Sequence, residues 1–279
     1  MSPSPITTRT TVVDGLTIRY AQSEAQSDRP EALLLSPWPE SVFAYEQCWP
    51  QLAERARLVA LDPPGFGGSQ RRDNLMSPKA TGAFILRVAD TLGLDHPHVV
   101  GPDIGTSSAL FAAAAQPGRF RSIVVGSGGA AVPLELTGVL KEWVEAPDLE
   151  PYRQMDSAAI VNAALSTIDG YTPSEEIRAD YLKSYAGDRF VESMKYARAY
   201  GEQLPQLAEL LAGIETPVRI VAGAQDQVVP PVNGLFLHER LPNSRVDLIE
   251  GAGHFCWEEK PDAYAALVAD WWERAGPPS

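Results

Sequence analysis

The sequence is poor in cysteine, histidine and positive charge. Its two cysteines, Cys48 and Cys256, lie far apart and without metal-type spacing, which excludes a disulfide framework and a thiolate metal site. Both are expected as buried or half-buried free thiols in a reducing compartment, and a cytoplasmic location is the default. Lysine and arginine number 23 against 36 aspartates and glutamates, a formal net charge of −13. A field of that sign repels nucleic acid and anionic membranes, so neither is expected as a partner. No run of ~18 or more apolar residues occurs, and no membrane span is expected. Met1–Thr11 lacks a basic region followed by an apolar stretch, so no secretory signal is expected either. There is no Gly-x-Gly-x-x-Gly and no cluster of metal-ligating residues, hence no expected cofactor or metal.

What remains is the composition of an ordinary globular chain: 279 residues, 44% hydrophobic and 21% charged, with a mean hydropathy of −0.14. Thr8–Val13 and Leu16–Ala21 alternate in part between apolar and polar around Asp14-Gly15, a strong hairpin signal. Short apolar runs at Glu31–Leu35, Leu58–Leu61, His98–Val100, Arg121–Gly126, Val218–Ala222 and Val246–Ile249 read as further strands. Helix-spaced apolar residues fill Val42–Ala56, Ser77–Leu94, Ile104–Ala115, the region near Val232–Leu241, and Asp262–Trp272. Ser77 caps the second of these helices and Pro78 sits in its first turn. This alternation predicts an α/β fold, a mostly parallel sheet flanked by helices and opened by an antiparallel hairpin.

The alternation breaks over residues 130–214, where four helices are read instead: Gly138–Val144, Ser157–Thr167, Ser174–Tyr185 and Phe190–Gly201. The expected organisation is therefore a core domain of residues 1–129 and 215–279 with a helical cap, or lid, of residues 130–214. Ser23–Pro30 reads as a polar loop and Pro277-Pro278-Ser279 as a loose tail.

Three segments carry chemistry. Val99-Val100-Gly101-Pro102-Asp103-Ile104-Gly105-Thr106 is a strand running into a helix, with glycines two residues either side of Asp103. This is the spacing of a nucleophile elbow, whose central residue sits on a strained turn at a helix start. The helix N-terminus favours an ionised carboxylate there. Val221-Ala222-Gly223-Ala224-Gln225-Asp226 places an acid just past a strand, and Gly251-Ala252-Gly253-His254-Phe255 a histidine just past the last one. A lone Gly-x-Asp-x-Gly is as readily an N-cap aspartate, but nucleophile, acid and histidine in this chain order form a far more specific pattern. His96, His98 and His238 have no such context.

From the hairpin to the last helix the chain resembles the α/β-hydrolase superfamily. An aspartate at the elbow is similar to the aspartate-nucleophile branch that holds epoxide hydrolases and haloalkane or haloacetate dehalogenases. Ser36-Pro37-Trp38-Pro39-Glu40-Ser41 lies where epoxide hydrolases carry His-Gly-x-Pro; the Trp-Pro-Glu-Ser part matches and His-Gly has become Ser-Pro. The resemblance implies an α/β-hydrolase fold with a helical cap. It also implies an oxyanion hole built from the N–H groups of Trp38 and Ile104, and a lid tyrosine that protonates an opening epoxide. Of the insertion's tyrosines, Tyr152 and Tyr196 fall nearest the family's positions, although Ala197 stands where the family's own tyrosine is expected.

An aspartate with an ordinary pKa near ~3.9 is ionised without help from a base. It can attack an sp³ carbon that carries a leaving group and form an alkyl ester. His254, oriented by Asp226, would then activate water against that ester. Ester and amide substrates fit badly, since a carboxylate attacking a carbonyl yields an anhydride. Dehalogenases of the family place Trp or Arg directly after the nucleophile, whereas Ile104 stands here, which favours the epoxide. A dehalogenase with an unusual halide site, and a catalytically silent protein that binds a ligand or assists ring closure, remain the alternatives. The expected partner is a small apolar substrate, with a homodimer left open.

Overall fold

In the computed structural model, which describes residues 4–24 and 29–275, Asp14 and Gly15 both take positive φ. They close a hairpin between β1 (Thr8–Val13) and β2 (Leu16–Gln22), as a two-residue turn with right-handed strands requires. The strands that follow are β3 (Glu31–Leu35), β4 (Arg57–Leu61), β5 (His98–Pro102), β6 (Ser122–Gly126), β7 (Val218–Gly223) and β8 (Ser244–Ile249). They form one eight-stranded sheet in the order β1-β2-β4-β3-β5-β6-β7-β8. Pairing is antiparallel from β1 to β2 and from β2 to β4, and parallel throughout the rest.

The inner strands are buried along their length. A strand covered on both faces reads as a continuous apolar run rather than an alternating one. Helices α1 (Trp49–Ala53), α2 (Pro78–Thr91) and α3 (Gly105–Ala115) precede the break in alternation. Between β6 and β7 the chain is helical, with α4 (Gly138–Glu145), α5 (Ser157–Leu165), α6 (Glu175–Ser184), α7 (Arg189–Arg198) and α8 (Tyr200–Leu210). The sheet then resumes with α9 (Val232–His238), α10 (Cys256–Glu259) and α11 (Pro261–Arg274) around β8.

Two expectations from periodicity need correction. Val42–Ala56 is not one helix. A 3-10 turn at Val42–Tyr45 precedes α1, which has Pro50 in its first turn; proline lacks the N–H that a continuous helix would need there. The helix read over Phe190–Gly201 is divided at Ala199: α7 ends at Arg198, and α8 runs from Tyr200 past Gly201 to Leu210 with Pro205 inside, its buried Tyr200, Leu204 and Leu207 outweighing local propensity. Both cysteines are buried and free. Part of the loop Ser23–Pro30, and the tail Pro277–Ser279, lie outside the described residues. Among the described residues no helix is long and apolar enough to cross a membrane.

Candidate active site

The carboxyl ends of parallel strands are where an open α/β sheet binds ligands, and the core residues singled out from the sequence sit there. Trp38 follows β3, Asp103 follows β5, Asp226 follows β7 and His254 follows β8. At the elbow Asp103 has φ +52°, a region that costs a non-glycine residue ~1–3 kcal/mol. The turn is held by backbone bonds: Asp103 N–H to Gly126 O at 2.9 Å and Thr106 N–H to Asp103 O at 3.0 Å. A Cβ at Gly101 would lie 2.8 Å from Gly105 O, so the strand can approach the helix this closely only without a side chain.

The two Asp103 oxygens are held differently. Trp38 N–H donates to Oδ2 at 2.7 Å, and the Ile104 N–H, next along the elbow, helps favour the charged carboxylate. His254 Nε2 stands 3.8 Å from Oδ1, past hydrogen-bond length. On its other side His254 Nδ1 meets Asp226 Oδ2 at 3.0 Å, while Asp226 Oδ1 accepts the Val228 and Val229 N–H groups, each at 2.9 Å. The Trp38–Pro39 peptide is cis.

Burial pushes the Asp103 carboxyl up, and His254 with the Trp38 and Ile104 N–H groups pulls it back. For Asp226 burial also acts upward, but the His254 contact and its two N–H donors hold it below the usual carboxylate range. Burial alone would lower His254; Asp226, Asp103 and Glu40 together push it up to about 9. The resting imidazole is therefore a cation between carboxylates at neutral pH.

That shift has a consequence for stability. A histidine whose folded pKa lies above its unfolded value of ~6.5 stabilises fully below that pH and loses the contribution as pH rises. The loss should run from about pH 6.5 to about pH 9 and amount to a few kcal/mol, on the order of 3. Melting temperature should thus fall between pH 7 and 10, and His254→Gln should flatten that fall. Equal slopes for the two proteins would show that the imidazole carries no such charge.

Beside Asp103, Asp226 and His254 lies a cavity of about 500 Å³, lined by Asp103 and His254 and otherwise mainly by apolar side chains from the helical insertion. Trp38, Trp143 and Phe190 form one aromatic wall: Trp38 stacks on Phe190 at 5.1 Å, and Trp143 meets both edge-on at 5.9 and 5.4 Å. Helical spacing marks the apolar stripe Val139, Leu140 and Trp143 of α4, but such a stripe looks the same whether it faces core or cavity. The sequence analysis did not single out Trp143 or Phe190. Glu142, exposed on the cavity's lining, was passed over as well, and Glu40, noted only within the matching Trp-Pro-Glu-Ser run, is buried and accepts the Trp257 indole N–H at 3.0 Å. Burial raises Glu40 to about 7, and the Trp257 ring packs edge-on against His254 at 5.9 Å.

The two lid tyrosines part company. Tyr152 is half-buried on the cavity lining and makes no hydrogen bond through its hydroxyl among the described residues. Tyr196 does not reach the cavity, which corrects its assignment as a proton donor. Its ring packs edge-on against Phe66 and Tyr200. Its hydroxyl donates to Ile104 O at 2.6 Å, with Ser107 and Ser108 beside it. Tyr196 therefore braces the elbow from behind, its proton already committed to a backbone carbonyl. Tyr200 packs there too, against Gly129.

Comparison with known proteins agrees with this architecture. A hydrolase of Pseudomonas putida, 2-hydroxy-6-oxononadienedioate/2-hydroxy-6-oxononatrienedioate hydrolase 2, is 31% identical over 231 residues, 79% of this chain and 78% of its own. Among solved structures, haloalkane dehalogenase DbeA of Bradyrhizobium elkani superposes with a TM-score of 0.81 at 22% identity, covering 97% of this chain and 98% of its own. Epoxide hydrolase CorEH superposes at 0.79 and 22% identity, covering 97% and 100%; at that identity both likenesses concern the fold. Residues 34–261 match the family described as the alpha/beta hydrolase fold, and to that family of hydrolases the chain belongs.

Proposed function

We propose that the protein opens epoxides to diols through a covalent ester on Asp103. The observation that carries this reading is the unequal holding of the carboxylate. Oδ2 accepts the Trp38 N–H, whereas Oδ1 faces His254 Nε2 at 3.8 Å. In the first step Oδ1 attacks an epoxide carbon, the ring C–O bond breaks, and the alkoxide takes the Tyr152 phenol proton. Forming the ester removes the Asp103 charge, so His254 loses one of its attractions, gives up its proton to solvent and stands as the neutral base. It then takes a proton from water as the oxygen adds to the ester carbonyl, and the Trp38 and Ile104 N–H groups stabilise the oxyanion on Oδ2. Collapse breaks the bond to the diol oxygen, which takes the proton from His254; the proton left on the new Asp103 carboxyl returns to Tyr152, and the carboxylate and, from solvent, the imidazolium are restored.

The Pseudomonas relative is named for a dienedioate, a dicarboxylate. Here the cavity lining carries Asp103 and Glu142 and, among the described residues, no lysine or arginine, and the His254 charge is already matched by Asp103 and Asp226, so a dianion would meet net negative charge. A neutral, largely apolar substrate fits the lining. One feature favours dehalogenation as a second reading: the Trp38 indole N–H is buried without a hydrogen-bond partner, on a residue of the same cavity, and a halide would accept it.

Small neutral epoxides and haloalkanes, assayed in parallel for diol and halide release, separate the two. Diol formation is expected. Tyr152→Phe should slow ring opening ~10²-fold or more while leaving breakdown of the ester unchanged. Halide release without diol, or full ring-opening activity in the phenylalanine variant, would move the assignment to the dehalogenase.

A further inference from the structure

The turn that carries Tyr152 is short, a single 3-10 turn at Glu150–Tyr152, and little of it is buried. Two side chains of α7 reach it. Arg198 donates to the carbonyls of Ala146 and Pro147 at its start. Glu192 accepts from Arg153, the residue next to Tyr152, at 2.8 Å. Glu192 is itself unusual, a carboxylate only 4% exposed. Its other oxygen lies 3.2 Å from Arg71 Nη1 and 2.6 Å from Lys195 Nζ. Arg71 belongs to the loop between β4 and α2, and it also meets Asp73 and Asp188 at 3.1 and 3.8 Å. Lys195 bonds Asp73 at 3.2 Å, and Arg153 also pairs with Glu150 at 2.8 Å. One carboxylate thus joins the core loop, α7 and the Tyr152 turn. Isolated surface pairs contribute little, but a network around a shielded carboxylate can hold a geometry. Two residues before Glu192, on another side of the same helix, Phe190 stacks on Trp38, so α7 also contributes to the cavity's aromatic wall.

We infer that Glu192 is a positioning residue: by gripping Arg153 against α7 and the Arg71 loop, it holds the neighbouring Tyr152 phenol on the cavity. The inference rests on the proposed role of Tyr152 in ring opening. Burial alone would raise the Glu192 carboxyl, but Lys195, Arg153 and Arg71 hold it below the usual range, so the latch stays charged across neutral pH.

Glu192→Gln tests it with two readouts. Single-turnover alkylation of Asp103 should slow by roughly ten- to a hundredfold, the effect of a small misplacement of a reacting group, while hydrolysis of the preformed ester keeps its rate. Trypsin should cleave after Arg153 faster than in the parent protein. Glu192→Asp should recover part of both effects, and Lys195→Met, which leaves the Arg153 contact in place, should change neither by much. Unchanged alkylation together with unchanged cleavage after Arg153 would overturn the inference. So would an equal loss in both half-reactions, which marks general loosening of the fold. Tyr152→Phe is measured alongside: if it leaves alkylation intact, the reading of the phenol has failed, and faster cleavage after Arg153 in Glu192→Gln would still support the latch.

Discussion

Replacing His254 with glutamine is expected to leave the protein alkylated. Glutamine can still donate to Asp226, so the site keeps its shape, but it cannot take a proton from water. Attack by Asp103 Oδ1 needs no base, and the first half-reaction proceeds to the ester. Mass spectrometry of His254→Gln after exposure to an accepted epoxide should show an increase equal to the mass of that epoxide. Steady-state turnover should fall by ~10²–10⁴, the usual contribution of a general base. The Asp103→Asn control should show neither adduct nor turnover. An inactive His254→Gln protein of unchanged mass would remove the covalent route, and the aspartate would then need another role.

The second large effect belongs to the fold beneath the site. Gly126 ends β6 with φ +150°, and a Cβ there would lie 1.8 Å from Val221 O on β7. Its carbonyl also accepts the Asp103 N–H at 2.9 Å and the Thr106 hydroxyl at 3.1 Å. Gly126→Ala must therefore spread β6 from β7 and loosen the elbow at once. A loss of ~3 kcal/mol or more is expected from backbone strain and overpacking combined. In a chain of this size that lowers the melting temperature by about 6–12 °C. Failure to recover folded protein would agree with the expectation, whereas melting within about 1 °C of the parent would contradict it.

How far the fold could be read from residues alone depended on which residues stop an element. The inner strands are runs of Val, Ile, Leu and Ala bounded by glycine or proline, as at Val99-Val100-Gly101-Pro102, and such runs are hard to mistake. Pro50 and Pro205 were harder, because proline starts one helix in its first turn and is carried inside the other. Asp103, Asp226 and His254 were legible through their placement after strands, which topology converts into proximity. The lid was not. Tyr196 and Tyr152 are alike in sequence terms, and only packing shows that one hydroxyl is spent on Ile104 O while the other is left on the cavity. Position along a chain does not encode which side of α7 turns to the elbow. The Trp38, Trp143 and Phe190 wall escaped notice for the same reason, since its members come from three separate elements.

The unequal grip on the two Asp103 oxygens has an isotopic signature under the proposed reaction. Oδ1 leaves with the product each cycle and a water oxygen takes its place, while Oδ2 stays with the Trp38 N–H. In water enriched in heavy oxygen, the first diol released should carry an ordinary oxygen drawn from the protein. Every later diol should carry the heavy one. The peptide holding Asp103 should then saturate at a single heavy atom however many cycles pass, because the oxygen in the hole never becomes the nucleophile. A second heavy atom would mean that the carboxylate turns over between cycles, and that the Trp38 N–H releases it each time.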